Sequence, residues 1–401
     1  MTARLHDAFP ARALHVLGHA LILTAAASGP ASAQSRPYIE IDMSVFAAHN
    51  PFLRPGNDAD IPGGQVILTA GGEWPLDHRT KIASEGNLAY RRYVREYGDF
   101  LTGNIEAALI HRRSEYLSLR TEASFERILP IEAVAASLDG AVDPISLQDR
   151  YDISQALTLH PDARTTLDGR LGWNRIIPRN SILLATTTAV SFDFSATTRV
   201  DAITTIGIAG QLASSRSDTS GDPRSWALRA KAARRFPKRW SAELEMGVTQ
   251  ISRRGLDMAG LDMGRERGPV QFSGTANLCH EPGRVRFCTS AAVASVVSSF
   301  SGIQREISAT TSLDWRTSER GRLVAGGEYR RSPQGAGAGS GGGGGQGALE
   351  ALTFTSRYEH RLDGRFTVYG GLEYQQRTGL ADQKMNSLTF RAGLLLRMPR
   401  P

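Results

Sequence analysis

The sequence predicts an all-β chain: a transmembrane, antiparallel, up-and-down β-barrel of about 18 strands, within a range of roughly 16–18. Three observations carry that prediction. Apolar and polar residues alternate with period two through most of the chain. The connections between alternating runs are sorted by length. The polar face carries charges of both signs. Alternation is what a strand with one greasy face and one polar face shows, since successive side chains point to opposite sides.

The run from Glu115 to Glu126 illustrates it: Leu117, Leu119, Thr121, Ala123 and Phe125 share one face, while Ser118, Arg120, Glu122, Ser124 and Glu126 share the other. The pattern recurs in Val66 to Trp74, Ile82 to Tyr90, Leu167 to Trp173, Trp240 to Val248, Phe366 to Tyr374 and Leu388 to Leu396. Strands are expected to begin near residues 38, 64, 80, 100, 115, 149, 165, 181, 196, 225, 239, 268, 285, 304, 321, 349, 365 and 386. Each is close to the ~10 residues that a tilted membrane strand needs.

Every second connection reads as a tight turn, among them Leu76 to Arg79, His111 to Ser114, Pro161 to Arg164, Phe236 to Arg239, Thr317 to Arg320 and Leu362 to Gly364. The intervening connections are longer: Ala47 to Pro62, Ile128 to Gln148, Ser214 to Pro223, Arg253 to Arg267 and Ser332 to Gln346. Short turns at one end and long loops at the other are the pattern of outer-membrane barrels, with the short turns on the periplasmic side. A soluble sandwich has no reason to sort its loops this way.

The polar face would point into one lumen. Arg91, Arg120, Arg170, Arg229, Arg357 and Arg391 are the candidate lumen-lining cations and candidate contacts for an acidic polymer. Glu85, Glu106, Glu122, Glu243, Glu245, Glu328, Glu359 and Glu373 share that face and can pair with them across strands. Trp74, Tyr90, Trp173, Trp240, Trp315 and Tyr329 fall near strand ends on the apolar face, where an aromatic girdle belongs; core packing would place them equally well.

The first residues read as an address. Arg4 and Arg12 precede an apolar run from Leu14 to Ala27, and Ala31-Ser32-Ala33 supplies small residues at the cleavage positions. Residues 1–33 are therefore expected to be a cleaved secretory signal peptide, leaving 34–401 as the barrel domain. No later segment reaches the length of a membrane-spanning helix. The net charge is +7, with charges scattered rather than blocked, and no basic face with interleaved aromatics suggests a nucleic-acid partner.

Two cysteines, Cys279 and Cys288, flank the turn signal His280-Glu281-Pro282-Gly283-Arg284. In an oxidising compartment a disulfide across that hairpin is geometrically reasonable, with two free thiols as the alternative. One nearby His is too few for a metal site. The stretch 335–347 is almost wholly glycine with alanine, serine and glutamine, and is expected to be a disordered external loop. It lacks the Lys-Ser/Thr that would end a phosphate-binding loop.

The nine histidines are scattered. No His-Glu-x-x-His, nucleophile elbow or nucleophile–base pair can be picked out, and His111, His160 and His360 fall at or beside short turns. Carboxylate pairs such as Glu243 and Glu245 are same-face strand neighbours better paired with arginine. No enzymatic centre, cofactor or metal is expected.

The strand pattern, together with Tyr38-Ile39-Glu40-Ile41-Asp42, His49-Asn50-Pro51-Phe52 and Leu88-Ala89-Tyr90-Arg91-Arg92-Tyr93, resembles outer-membrane β-barrels of the "beta-barrel porin 2" type. The resemblance spans most of the chain from residue 34 on as pattern, although the motifs are short and degenerate. It implies a Gram-negative outer-membrane location and an association with exopolysaccharide synthesis and export, with no catalytic residues to transfer. One departure is plain. Such barrels finish on an aromatic residue, whereas this chain runs past Phe390 and Leu396 to Arg397-Met398-Pro399-Arg400-Pro401.

The expected role is non-enzymatic: a monomeric barrel that serves as conduit or structural partner for surface polysaccharide. A general diffusion porin is the first alternative and an outer-membrane lipid hydrolase the second. The expected partners are outer-membrane lipid, anionic polysaccharide and exopolysaccharide-export proteins.

Overall fold

The computed structural model describes residues 37–399 apart from 55, 57–58, 95–96, 130–145, 180, 218–221, 255–264, 299–301, 333–347 and 379–382. The expected signal peptide and the glycine-rich stretch 335–347 lie outside the described residues.

The first nine strands are β1 (Tyr38–His49), β2 (Asp60–Pro75), β3 (Thr80–Tyr93), β4 (Asp99–Arg112), β5 (Leu117–Ile128), β6 (Gln148–Leu159), β7 (Thr165–Pro178), β8 (Thr187–Arg199) and β9 (Thr204–Ser217). The second nine are β10 (Arg224–Phe236), β11 (Trp240–Arg254), β12 (Arg265–His280), β13 (Val285–Ser298), β14 (Gly302–Trp315), β15 (Gly321–Ser332), β16 (Leu349–Arg361), β17 (Phe366–Thr378) and β18 (Lys384–Pro399). Each pairs antiparallel with its sequence neighbours, and β1 closes the ring against β18 from Tyr38↔Pro399 to His49↔Leu388. The result is a closed 18-stranded barrel with no sheet edge along the β1–β18 seam.

Alternation decides which face meets what. Ile206, Leu228, Leu244 and Leu171 are 40–55% exposed, and the residues beside them in sequence turn to the other side. Apolar side chains left open all round a barrel would be an aggregation surface in water, whereas lipid covers them at no cost. The fold is a transmembrane barrel, and the charged face encloses the lumen.

Strand boundaries agree with the sequence reading closely except at β8 and β9. The expected start at residue 181 fails because Ser181-Ile182-Leu183-Leu184-Ala185 is a bend. The Ser181 hydroxyl accepts the N–H groups of Leu183 and Leu184, and Leu184 packs into an apolar cluster at the long-loop end. Residues 196–199, expected to open the ninth strand, finish β8 instead, and Asp201 forms the turn.

The short-turn end is built from one repeated device. Asp77, Asp162, Asp201 and Asp363 each accept the backbone N–H groups two and three residues on. Those donors hold all four carboxyls below their ordinary pKa. Ser318 does the same with its hydroxyl.

Between neighbouring hairpins at this end the last strand residue bonds the turn residue opposite. The pairs are Arg112 to Arg79, Arg199 to Arg164, Arg316 to Arg284, Arg361 to Arg320 and Arg397 to Arg365, each N···O distance being 2.8–2.9 Å. All ten arginines are exposed.

Candidate functional site in the barrel lumen

The lumen is narrowed by its own wall. The ladder on one side of the β13–β14 hairpin stops early. β12 and β13 pair only from Gly274↔Val293 to His280↔Phe287, although β13 continues to pair with β14 as far as Ser298↔Gly302. On the other side β14 and β15 pair to Ile307↔Arg331, one residue before β15 ends at Ser332, whose hydroxyl donates to the Arg305 carbonyl at 3.2 Å. The described part of the hairpin therefore leaves β12 over residues 294–298.

It turns inward. Ser295 lies 3.1 Å from Thr249, oxygen to oxygen, and Thr249 is on the lumen face of β11 with Glu243 and Glu245. β14 comes within 8 Å, Cα to Cα, of β9 on the opposing wall. Ile303 has the alternation of a lipid-facing residue yet is 1% exposed, against 49% for Ile206 on β9. Val297, also of lipid-facing parity, instead lines a cavity of about 410 Å³ bounded by the lumen side of β4 to β8.

β12 is adapted to the loss of its partner. A bulge between Gln250 and Ser252 shifts the register against β12, opposite Gly268 and Pro269. Proline has no N–H for a ladder and belongs on an edge. Gly268 is needed there as well, because a Cβ would meet the Ile251 carbonyl oxygen at 2.6 Å. Arg330 holds the base of the hairpin, bonding Glu306 on β14 and Glu328 on its own strand.

A second element narrows the long-loop mouth. Phe52 and Leu53, in the connection after β1, are fully buried. They pack with Phe46, Tyr93 and Leu129, and with Leu349 and Ala351 of β16 and Met385 of β18, beyond the β1–β18 seam. Phe52 lies 4.3 Å from Tyr97 and 5.1 Å from Tyr93, ring centre to ring centre. Leu53 adopts φ +49°, a conformation that costs a non-glycine residue. Arg377 fixes it there by donating to the Leu53 carbonyl at 2.9 Å. Asn50 closes the turn by bonding both the N–H and the carbonyl of Arg54.

All six predicted lumen arginines sit on the lumen face, distributed round the wall rather than gathered at one point. Arg120 and Arg170 converge on Glu122, and Arg170 also bonds Ser154. Arg229 lies 4.0 Å from Glu245 and bonds Ser273 at 2.9 Å. Arg357 bridges Asp42 and Glu359 and lies 3.6 Å from the centre of the Tyr369 ring. Arg91 bonds Gln65 and Tyr93, and lies 5.9 Å from the ring centre of Phe46, as Arg391 does from the other side. The 410 Å³ cavity adds Glu106, Asp152 and Asp193 to the Arg170–Glu122 pair.

Cys279 and Cys288 are direct cross-strand partners joined by a disulfide, with Cα atoms 4.1 Å apart, on the lumen side near the short turns. His111 contacts Thr80 at 2.9 Å and His160 contacts Thr166 at 3.1 Å, both at that end of the barrel. Trp240 stacks on His280 at 4.2 Å.

Sequence reasoning placed the arginines but missed the hairpin, the apolar mouth and the arginine rim. One signal for the hairpin exists. Over Ala291-Ala292-Val293-Ala294-Ser295-Val296-Val297-Ser298 the alternation lapses, with Ala292, Ala294 and Val296 apolar at lumen-face positions and Ala291, Val293 and Val297 apolar at the others. A strand enclosed on both sides reads that way.

No family model matches the chain, and no curated protein does. Among solved structures, OpdK of Pseudomonas aeruginosa is 11% identical over 92% of this chain and 99% of its own, with a TM-score of 0.47. A BenF-like porin from Pseudomonas fluorescens Pf-5 is 11% identical over 92% and 99%, at 0.46. OccAB3 of Acinetobacter baumannii is 7% identical over 92% and 100%, at 0.45. The likeness to these proteins is one of general form.

Proposed function

We propose that this barrel is a non-enzymatic outer-membrane conduit, built to pass an extended polar molecule past an internal constriction. The observation that carries the reading is the β13–β14 hairpin folded into a lumen lined by charged side chains. Barrels of about 16–18 strands are wide enough for an aqueous passage, and an inward element narrows that passage without closing the wall behind it. The sorting of short turns to one end supports an outer-membrane orientation with those turns in the periplasm.

The finer reading is export or support of surface polysaccharide. An extended chain of sugars is narrow, polar and long, which suits a slot better than a wide pore. One observation favours a second reading, a general diffusion porin: Arg120, Arg170, Arg229 and Arg357 already face carboxylates, which leaves that wall little net preference. Single-channel recording in planar bilayers separates the two. A slot gives small steps, blocked by oligosaccharide added to the bath. Large, unselective steps indifferent to oligosaccharide would sink the polymer reading.

A further inference from the structure

The structure assigns the capture of a linear polyanion to the periplasmic mouth of this barrel, through the paired arginines of the short-turn rim. This rests on the conduit reading and locates its first contact with the polymer.

Three consecutive hairpin junctions carry the pairs Arg284–Arg316, Arg320–Arg361 and Arg365–Arg397. The arc continues round the β18–β1 seam to a fourth pair at the β3–β4 junction. Within each pair the two residues are bonded backbone to backbone, so the side chains are direct cross-strand neighbours. Like charges placed directly opposite one another destabilise a sheet. A barrel gains nothing structural from repeating that arrangement at neighbouring junctions.

Their faces agree. Arg284 has the alternation of lumen-facing Cys288, Arg316 that of Asp314, Arg361 that of Arg357 and Glu359, and Arg397 that of Arg391. The ring is thus presented to the lumen mouth rather than to the lipid. The bonds of its carboxylates go elsewhere, Asp314 to Arg322 and Asp363 to the backbone of its own turn, although both also lie in the field of Arg316 and Arg365 respectively. Among the described residues, the one ion pair made by these six arginines is Arg397 with Glu40, at 4.0 Å.

Deeper in the lumen Arg120, Arg170, Arg229 and Arg357 face carboxylates, whereas at the rim five of the six arginines make no ion pair among the described residues, so the rim is where excess cation meets solution. Neighbouring strands lie about 4.8 Å apart, so successive pairs form a row of forked donors about 10 Å apart, suited to carboxylates repeated along a chain. A compact monoanion would use one pair; a polyuronate or similar chain would span several.

The test is binding of fluorescently labelled oligogalacturonate to detergent-solubilised, folded protein, read by anisotropy, with neutral dextran of the same length as control. The variant Arg284→Gln/Arg316→Gln/Arg320→Gln/Arg361→Gln is compared with the native chain. The side chains are exposed and the backbone bonds remain, and heat-modifiable gel mobility verifies folding. Binding should weaken at least tenfold in the variant. It should also weaken when salt rises from 0.1 to 1 M, as the screening length falls from about 10 to 3 Å. Unchanged binding in the folded variant overturns the assignment. So does a variant that keeps the polymer but loses retention of vesicles containing phosphatidylglycerol, which would make the rim a lipid contact. Conductance is measured separately: polymer binding lost in the variant of a barrel that never conducts would refute the conduit and leave the rim site standing.

Discussion

Replacing Arg330 with methionine should release the internal hairpin. The Glu306 side chain is 5% exposed and the Arg330 side chain 20% exposed, and they meet at 2.5 Å at the end of the β14–β15 ladder. Arg330 also holds Glu328, so its loss takes a shared cation from two carboxylates at once. Breaking a buried pair from one side costs about 3–5 kcal/mol, and the partial exposure of Arg330 places this case near the lower end, about 3 kcal/mol. Only the inward position of the hairpin suffers that cost, since an outward hairpin would hydrate Glu306. At 1.4 kcal/mol per factor of ten, the inward-to-outward ratio should fall about 150-fold. Single-channel recording of Arg330→Met should then show frequent larger steps that are rare in the native barrel. Adding Glu306→Gln, which removes one stranded charge, should restore much of the native pattern. A folded Arg330→Met barrel with unchanged step size and dwell times would refute the hairpin as the constriction.

Further outcomes follow from the same geometry. Phe52→Ala removes a fully buried ring from the long-loop mouth, which costs about 3–5 kcal/mol of local packing. Its expected result is faster protease cleavage of the connection after β1, with higher conductance. Cys279→Ser opens a loop closed over a separation of nine residues, and on the chain-entropy model should lower the resistance of the folded barrel to urea by about 2–3 kcal/mol. The four turn aspartates have carboxyls held below their ordinary pKa, so their contribution is complete above the unfolded value and disappears as pH falls through the folded one. Urea unfolding should therefore show the barrel weakening below about pH 4, and Asp77→Asn/Asp162→Asn/Asp201→Asn/Asp363→Asn should flatten that dependence.

The barrel was legible because its rule is local. In β5 and β17 each residue declares its face by alternation, and Asp162 or Asp363 declares the turn. At β8 the local rule failed. Ser181 to Ala185 looks like a strand, but Pro178 ends the preceding ladder and the Ser181 hydroxyl satisfies the next N–H groups in a bend. The lumen arginines were legible for the same reason as the strands, while their partners were not. Glu122 receives both Arg120 and Arg170, and only the register between strands shows that.

The inward hairpin depends on the β12–β13 ladder ending early, at Val293, and on contacts of β13 with β11 and of β14 with β9, a relation among five strands that no single window contains. The lapse of alternation over 291–298 and Pro269 were its local traces. The arginine rim escaped for a similar reason, since Arg316 and Arg284 become neighbours only when adjacent hairpins are aligned.

The most direct test of the central claim, a lipid-embedded barrel whose charged face encloses the lumen, is a single-cysteine scan of β17 from Val368 to Gln375 after reconstitution in lipid. Each position in turn carries a nitroxide label, read against lipid-soluble oxygen and a water-soluble relaxation agent. The barrel predicts strict alternation: Val368, Gly370, Leu372 and Tyr374 respond to oxygen, while Tyr369, Gly371, Glu373 and Gln375 respond to the aqueous agent. Equal response at both sets of positions, or protein that remains soluble without detergent or lipid, would contradict it.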